Sequence, residues 1–310
     1  MDYTECAKAL RERDNFIFLT HRNPDGDTCG SAAALCSVLR RMGKTAYLYN
    51  NSQFSKKLLA YVSEYIAPED FRGECIAAVD IAEEKLFPYD FKGKADYCID
   101  HHPTNALYAG DTLLHAEKAA CGEIILELIS ELGLEPTQEE ATLLYIAIST
   151  DTGCFQYSNT NAGTFAATAK LMALGADNTG VNLKFFRKVS PARIRLEGMI
   201  YSSMRYFRND TVAFAVVTRD MMLKSGVCDD DMDDISGLPG RNEKASVSIT
   251  VQEKEDCCRI SVRSAPSVSS SDICARFGGG GHRTAAGCII KASPDEAVEM
   301  LMKVVEEVLQ

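Results

Sequence analysis

Residues 15–31 read NFIFLTHRNPDGDTCGS, and the passage from apolar run to polar loop to small-residue helix decides the fold. Asn15 to Thr20 has the unbroken apolar character of a strand buried on both faces. His21-Arg22-Asn23-Pro24-Asp25-Gly26-Asp27 is a polar turn, and Gly30 to Met42 is an Ala- and Leu-rich helix that stops at Gly43. Strand, short loop and helix in that order open a βα unit. The same alternation continues downstream. Thr45 to Tyr49 reads as a second strand, Phe54 to Ile66 as a helix closed by Pro68, and Cys75 to Asp80 and Asp96 to Asp100 as two further strands, each ending in an aspartate. A mainly parallel, doubly wound α/β sheet with helices on both faces is the expectation.

Helices follow at Cys121 to Leu132, at Gln138 to Thr150, which delivers Asp151, and at Ala162 to Leu174. Pro191 to Tyr206 reads as a connecting helix, begun by Ser190-Pro191 in the roles of N-cap and first helical residue. Beyond it the period changes to two. Val212 to Thr218, Ala245 to Glu253 and Cys258 to Arg263 are strands, and helices at Ser269 to Phe277 and Pro294 to Leu309 bracket a glycine run. The organisation read from this is a first domain over 1–188, a linker helix over 189–204 and a smaller α/β domain over 205–310.

Composition narrows the function. The net charge of −11 argues against broad binding to long duplexes, which a basic face would serve. No stretch reaches the ~18 uncharged apolar residues of a membrane span, and Met1 to Glu5 lacks the start of a secretory signal, so a cytoplasmic protein without a membrane partner is expected. The twelve cysteines include no C-x-x-C pair, and Cys75, Cys98 and Cys288 lie in apolar runs, as reduced structural thiols do.

In open α/β sheets, sites form beyond the carboxyl ends of the strands. Here the first strand runs into His21, Asp25 and Asp27, the third reaches Asp80, the fourth reaches Asp100-His101-His102, and a helix reaches Asp151. Each alone has a plainer reading: Asp-Gly-Asp is a common turn or cap. Together they gather five carboxylates in one crevice, where repulsion is severe unless cations are present. Carboxylate and imidazole suit Mn²⁺, with Mg²⁺, Fe²⁺ and Co²⁺ as alternatives.

These segments resemble the motifs of the DHH phosphoesterases. His21-Arg22-Asn23-Pro24-Asp25-Gly26-Asp27 is similar to the first motif, Asp80 to the second, Asp100-His101-His102-Pro103 to the signature that names the family, and Asp151-Thr152-Gly153 to the fourth. Gly278 to His282, continuing to Ala285-Ala286-Gly287, resembles the glycine-rich motif of the DHH-associated C-terminal domain. The resemblance implies two divalent ions: His21 and Asp25 on one, Asp27, His101 and Asp151 on the other, and Asp80 bridging. Asp100 would orient a histidine, and His102 would face the substrate phosphate as stabiliser or proton donor. A water activated by the ions would attack, with no side-chain nucleophile. Arg263 and the run Gly279, Gly280, Gly281, His282 and Arg283 would clamp phosphate from the second domain, with the active site in the interdomain cleft. Arg22 and Asn23 sit inside the first motif, where contact with substrate is one reading and, for Asn23 before Pro24, shaping the turn is the other; Arg276 and Arg283 fit either substrate or solvated surface.

The compact two-domain length is similar to the NrnA-like branch of the family. The implied activity is hydrolysis of short oligoribonucleotides (nanoRNA, pApA) to mononucleotides and dephosphorylation of 3′-phosphoadenosine 5′-phosphate, with cyclic di-AMP hydrolysis as the alternative. A RecJ-like exonuclease would carry more chain for gripping a long strand, and a family II pyrophosphatase would lack the Gly-Gly-Gly-His element. A catalytically silent nucleotide sensor would show a broken metal motif. His115 reads as structural, and the acidic run Asp229 to Asp234 as a solvated loop. Ala141 to Ile148 fits the core or a homodimer interface equally, because periodicity does not separate the two.

Overall fold

The computed structural model describes residues 1–232 and 234–309 and separates into two compact units, Met1–Lys188 and Val189–Gln310. The first begins with α1 (Tyr3–Glu12), set by a capping box in which the Asp2 carboxylate accepts from Glu5 N–H at 2.8 Å and Glu5 Oε2 accepts from Asp2 N–H at 2.9 Å. Then come β1 (Phe16–Leu19), α2 (Gly26–Arg41), β2 (Ala46–Leu48), α3 (Lys56–Val62), β3 (Cys75–Val79), β4 (Tyr97–Asp100) and β5 (Asp111–Leu114). Helices α4 (Cys121–Glu131), α5 (Gln138–Asp151), α6 (Ala162–Ala173) and α7 (Asn178–Asn182) complete the unit.

Its sheet has the order β2-β1-β3-β4-β5 and every pairing is parallel, as the alternation of elements predicts. Chain direction across the sheet reverses beside β1, so the ends of β1 and β3 flank the switch point where such sheets bind ligands. One face is covered by helices: Phe16, Phe18, Cys75, Ala77 and Val79 share a core with α1, α2, α4 and α5. The other face is layered differently from the expectation of helices on both sides. Ile17, Leu19, Ala78 and Cys98 are covered by Ile81, Phe87 and Ala95, with Phe91 and Tyr108 packed edge-on to Phe87 at 5.5 and 5.4 Å between centroids. Aromatic rings fill the layer that a helix would otherwise occupy. Ala141 to Ile148 lies in the core of this unit: all of it except Thr142 is buried.

In the second unit α8 (Pro191–Ser202) is followed by β6 (Arg205–Phe207), β7 (Val212–Val217), α9 (Arg219–Ser225), β8 (Val247–Glu253), β9 (Cys258–Ser264), α10 (Ser270–Ala275), β10 (Gly280–His282), β11 (Ala285–Ile290) and α11 (Pro294–Val308). The predicted helix to Tyr206 therefore stops at Ser202, and Arg205–Phe207 pairs with β7 instead. The sheet order is β10-β11-β9-β8-β7-β6, antiparallel except between β7 and β8. Residues of α10 and α11 pack with Phe214, Ile249, Ile260 and Val262, while Leu196 and Ile200 of α8 pack with Ala215 and Val217. All twelve cysteines are free. Asp233 of the acidic run lies outside the described residues. Among those described, no helix is long and apolar enough to cross a membrane.

Candidate active site

The switch point gathers the strand-end residues of the first unit. Asp25 is the N-cap of α2: Oδ1 accepts from Asp27 N–H at 3.0 Å and Thr28 N–H at 3.2 Å, while Oδ2 faces His21 Nε2 at 3.3 Å. The helix thus starts at Gly26 rather than at the predicted Gly30, and its first turn carries Asp27 inward, 1% exposed. Asp80 follows β3 with φ of +59°, a left-handed conformation uncommon outside glycine and tolerated best by Asn and Asp. Its N–H still donates to Ile99 O at 2.9 Å. The turn aims a carboxylate that is 4% exposed, with Oδ2 3.9 Å from His21 Nε2 and Oδ1 3.4 Å from His101 Nε2. Asp151, the last residue of α5, and Asp27 approach His101 Nε2 at 3.7 and 3.8 Å.

Three groups of side chains lie close enough to hold a metal ion: His21-Asp25-Asp80, Asp27-His101-Asp151 and Asp80-His101-His102. All six residues predicted as ligands are thereby in one place, with Asp80 offering one oxygen toward each side. Two observations fit cations there. Asp80 Oδ1 is buried without a hydrogen-bond partner. His101 Nδ1 lies 3.1 Å from Lys118 O, a carbonyl that can only accept, which leaves Nε2 as the ring atom turned toward the carboxylates.

The supporting contacts were not visible in the sequence. The N–H groups of Cys121 and Gly122, at the start of α4, donate to the Asp27 carboxylate at 2.7 and 3.0 Å, and Ser31 Oγ donates at 3.0 Å. A helix N-terminus and a hydroxyl thus steady a charge that burial opposes. Asp100, fully buried, accepts from His102 Nδ1 at 2.7 Å, from Asn105 Nδ2 at 2.5 Å and from His101 N–H at 2.8 Å. The histidine it orients is His102, whose side chain is 42% exposed. Asn159 Nδ2 donates to Asp151 at 3.4 Å.

In the second unit, strand register lines up two predicted substrate residues. Ala285 of β11 pairs with Arg263 on one side and with His282 on the other. Directly paired residues share a sheet face, so Arg263 and His282 flank one small side chain, roughly 10 Å apart across two strand spacings. Arg263 is exposed and its Nη2 lies 3.5 Å from Ser236 Oγ. The glycine run departs from the expectation of an open loop of free N–H groups. Gly279 N–H donates to Cys274 O at 3.0 Å at the end of α10, which removes it as a phosphate donor. Its role is steric: a Cβ there would lie 2.3 Å from Gly287 O. Gly280 and Gly281 form edge strand β10, and Gly281 has φ of +145°. Arg283 is tethered through Nε to Pro266 O at 3.0 Å, and Arg276 pairs with Glu307 at 3.3 Å on the surface. His115 stacks on Tyr3 and bonds Glu117.

Electrostatics follow from this packing. Burial, then the charge of Asp151, pushes Asp27 up to about 7. Burial likewise raises Asp80 and Asp151. For His101 burial opposes the charged ring, but Asp80, Asp27 and Asp151 outweigh it and push the imidazole up to about 10. Both directions make the metal-free fold hold protons that the unfolded chain releases. The Asp27 contribution is complete below roughly pH 4 and is lost toward pH 7, and that of His101 is complete below roughly pH 6.5 and is lost toward pH 10. The melting temperature in chelator should therefore fall from pH 5 to pH 9, and Mn²⁺ should raise it most at the alkaline end, where ions replace the missing protons. Thermal unfolding with and without Mn²⁺ checks this. A chelated protein that melts higher at pH 8 than at pH 5 contradicts it.

A model of the DHH family, N-terminal domain, matches residues 15–148, and a DHHA1 domain model matches residues 209–310. The chain is 31% identical to the bifunctional oligoribonuclease and PAP phosphatase NrnA of Thermus thermophilus, over 98% of this chain and 93% of that one. Among solved structures, an exopolyphosphatase-related protein from Bacteroides fragilis has a TM-score of 0.89 at 24% identity, covering 98% of this chain and 96% of that one. RecJ from Thermus thermophilus, in complex with Mn²⁺, has a TM-score of 0.55 at 14% identity, covering 98% of this chain and 55% of RecJ. These two likenesses concern the fold.

Proposed function

The chain belongs to the DHH family, and from that membership and the geometry around Asp80 we infer a metal-dependent phosphoesterase that hydrolyses short oligoribonucleotides to mononucleotides and dephosphorylates 3′-phosphoadenosine 5′-phosphate. The observation that carries this reading is three carboxylate–imidazole groups gathered at one place, two of them sharing the buried, partly unpartnered Asp80. His21, Asp25 and Asp80 would hold one ion, and Asp27, His101, Asp151 and Asp80 the other. Oxygen and imidazole donors suit Mn²⁺ first, with Mg²⁺, Fe²⁺ or Co²⁺ able to replace it. Two such ions, when bound, polarise the phosphoryl group, lower the pKa of a water and neutralise the leaving oxygen.

The chain's own residues supply the rest. Asp100 accepts from His102 Nδ1, so a protonated His102 holds its second proton at Nε2, where a departing oxygen can take it. The buried Asp100 carboxylate fixes the orientation of that ring. Asp25 and Asp27, presented by the first turn of α2, are held in place by backbone N–H groups. The second unit binds substrate through Arg263 and His282, with Gly280, Gly281 and Arg283 shaping the edge beside them. A guanidinium paired with a terminal phosphate selects a chain end, hence short substrates. A cytoplasmic location accords with the free thiols.

Arg263→Ala should raise KM about 10- to 100-fold and leave kcat within a few-fold, the signature of lost uniform binding. An equal loss in kcat with unchanged KM would move Arg263 from binding into the chemical step. The function itself is tested by product release from Mn²⁺-loaded protein given linear pApA, a five-residue RNA, 3′-phosphoadenosine 5′-phosphate and cyclic di-AMP, beside a chelated control. Turnover of the first three, with cyclic di-AMP much slower, is expected. Preference for cyclic di-AMP would overturn the substrate assignment, and no metal-dependent turnover would leave a nucleotide sensor.

A further inference from the structure

Apart from the residues assigned to the two ions, the first unit has a cavity of about 460 Å³ whose lining contrasts with the acidic character of the chain. Arg22, Lys85, Lys92 and Lys94 line it together with Phe87, Tyr89 and Glu84, Lys85 being paired with Glu83 at 2.7 Å. Its volume is within the ordinary range of small-molecule sites. The chain links it to the cluster around Asp80. Arg22 follows His21 directly, and Arg22 N–H donates to Leu86 O at 2.7 Å, which ties the loop after β1 to the turn Glu84–Leu86 that forms another wall.

Two features of that lining lack a purpose within the fold. The Arg22 guanidinium lies over the Tyr89 ring, 5.4 Å from its centroid, yet Nε is buried and has no hydrogen-bond partner. A buried donor without an acceptor is unfavourable, and phosphate oxygen is an acceptor that a guanidinium takes well. Tyr89 is 62% exposed, although Phe87 and Phe91 beside it are packed into the aromatic layer. A large ring held in water, backed by a guanidinium and with Lys92 and Lys94 in the same lining, is a composition on which unpaired bases stack while cations take the phosphate.

We propose that this cavity is a nucleotide subsite: it holds one unit of the short substrate next to the scissile phosphate, base on Tyr89 and phosphate on Arg22. The proposal rests on the phosphoesterase reading for the identity of that substrate. Lys92 and Lys94 add long-range attraction, and Phe87 forms an apolar floor that does not discriminate between bases.

Fluorescence of 2-aminopurine, which is quenched on stacking, tests this without turnover. The probes are two isomeric 5′-phosphorylated dinucleotides with a non-hydrolysable linkage, each carrying 2-aminopurine at one position, titrated into the full chain in Mg²⁺. At least one isomer should be quenched, with binding weakened about 5- to 100-fold in Tyr89→Ala and retained in Tyr89→Phe. No quenching of either isomer by the wild type, or equal binding by Tyr89→Ala, overturns the subsite. Hydrolysis of natural pApA is read separately. Tyr89-dependent quenching without any turnover supports the pocket and overturns the hydrolytic reading, whereas turnover with Tyr89-independent binding overturns the pocket alone.

Discussion

Asp80→Ala is expected to abolish hydrolysis of short oligoribonucleotides and to leave neither divalent ion tightly bound. Its two oxygens point to opposite sides, Oδ2 toward His21 at 3.9 Å and Oδ1 toward His101 at 3.4 Å, so one substitution would remove a ligand from both proposed sites. The loss in kcat/KM should exceed the roughly 10²–10³-fold that follows removal of one stabilising donor. Alanine also meets the positive φ at this position, which it tolerates less well than aspartate does. Asp80→Asn separates the two effects, because asparagine accepts that backbone and lacks the charge. It should fold, lose both ions and be inactive. Two ions retained tightly by Asp80→Asn would show that Asp80 does not bridge them.

His102→Ala should reduce kcat about 10²- to 10⁴-fold, the usual contribution of a positioned acid, and should retain both ions. The structure also places His102 close enough to Asp80 and His101 to share a metal with them. Its Nδ1 is bonded to Asp100 at 2.7 Å, and Asp100 is itself fixed by Asn105 and by two backbone N–H groups. That arrangement suits a proton donor with a fixed tautomer. Metal content of the variant separates the roles: two ions per chain with low kcat fits the acid, and one ion per chain makes His102 a ligand. Asp100→Asn should follow in the same direction by about 10- to 100-fold, as outer partners of site residues do.

Much of this centre was legible because its side chains end strands. Asp80, Asp100 and His101 each terminate an apolar run, and an alternating βα pattern brings such ends to one edge. What holds them was not legible. Cys121 and Gly122 support Asp27 through backbone N–H groups from a helix 94 and 95 residues away, and a backbone donor has no side-chain signature. The early start of α2 was hidden by Gly26 and Gly30, whose low helix propensity is overridden by burial of nearly the whole helix. In the opposite sense α1 was missed despite a sequence signal, the Asp2 and Glu5 capping box. The glycine run misled because Gly280 and Gly281 carry no alternation, so pairing with β11 decides their strand. The left-handed turn at Asp80 and the exposed ring of Tyr89 are likewise tertiary facts, and both lie where chemistry is assigned.

Anomalous diffraction from crystals soaked in Mn²⁺ tests the account most directly. It should show two manganese peaks about 3.5–4 Å apart, as in two-metal hydrolases, with Asp80 contacting both. A single peak, or two peaks with Asp80 on only one, would contradict a hydrolytic centre built on a bridging aspartate.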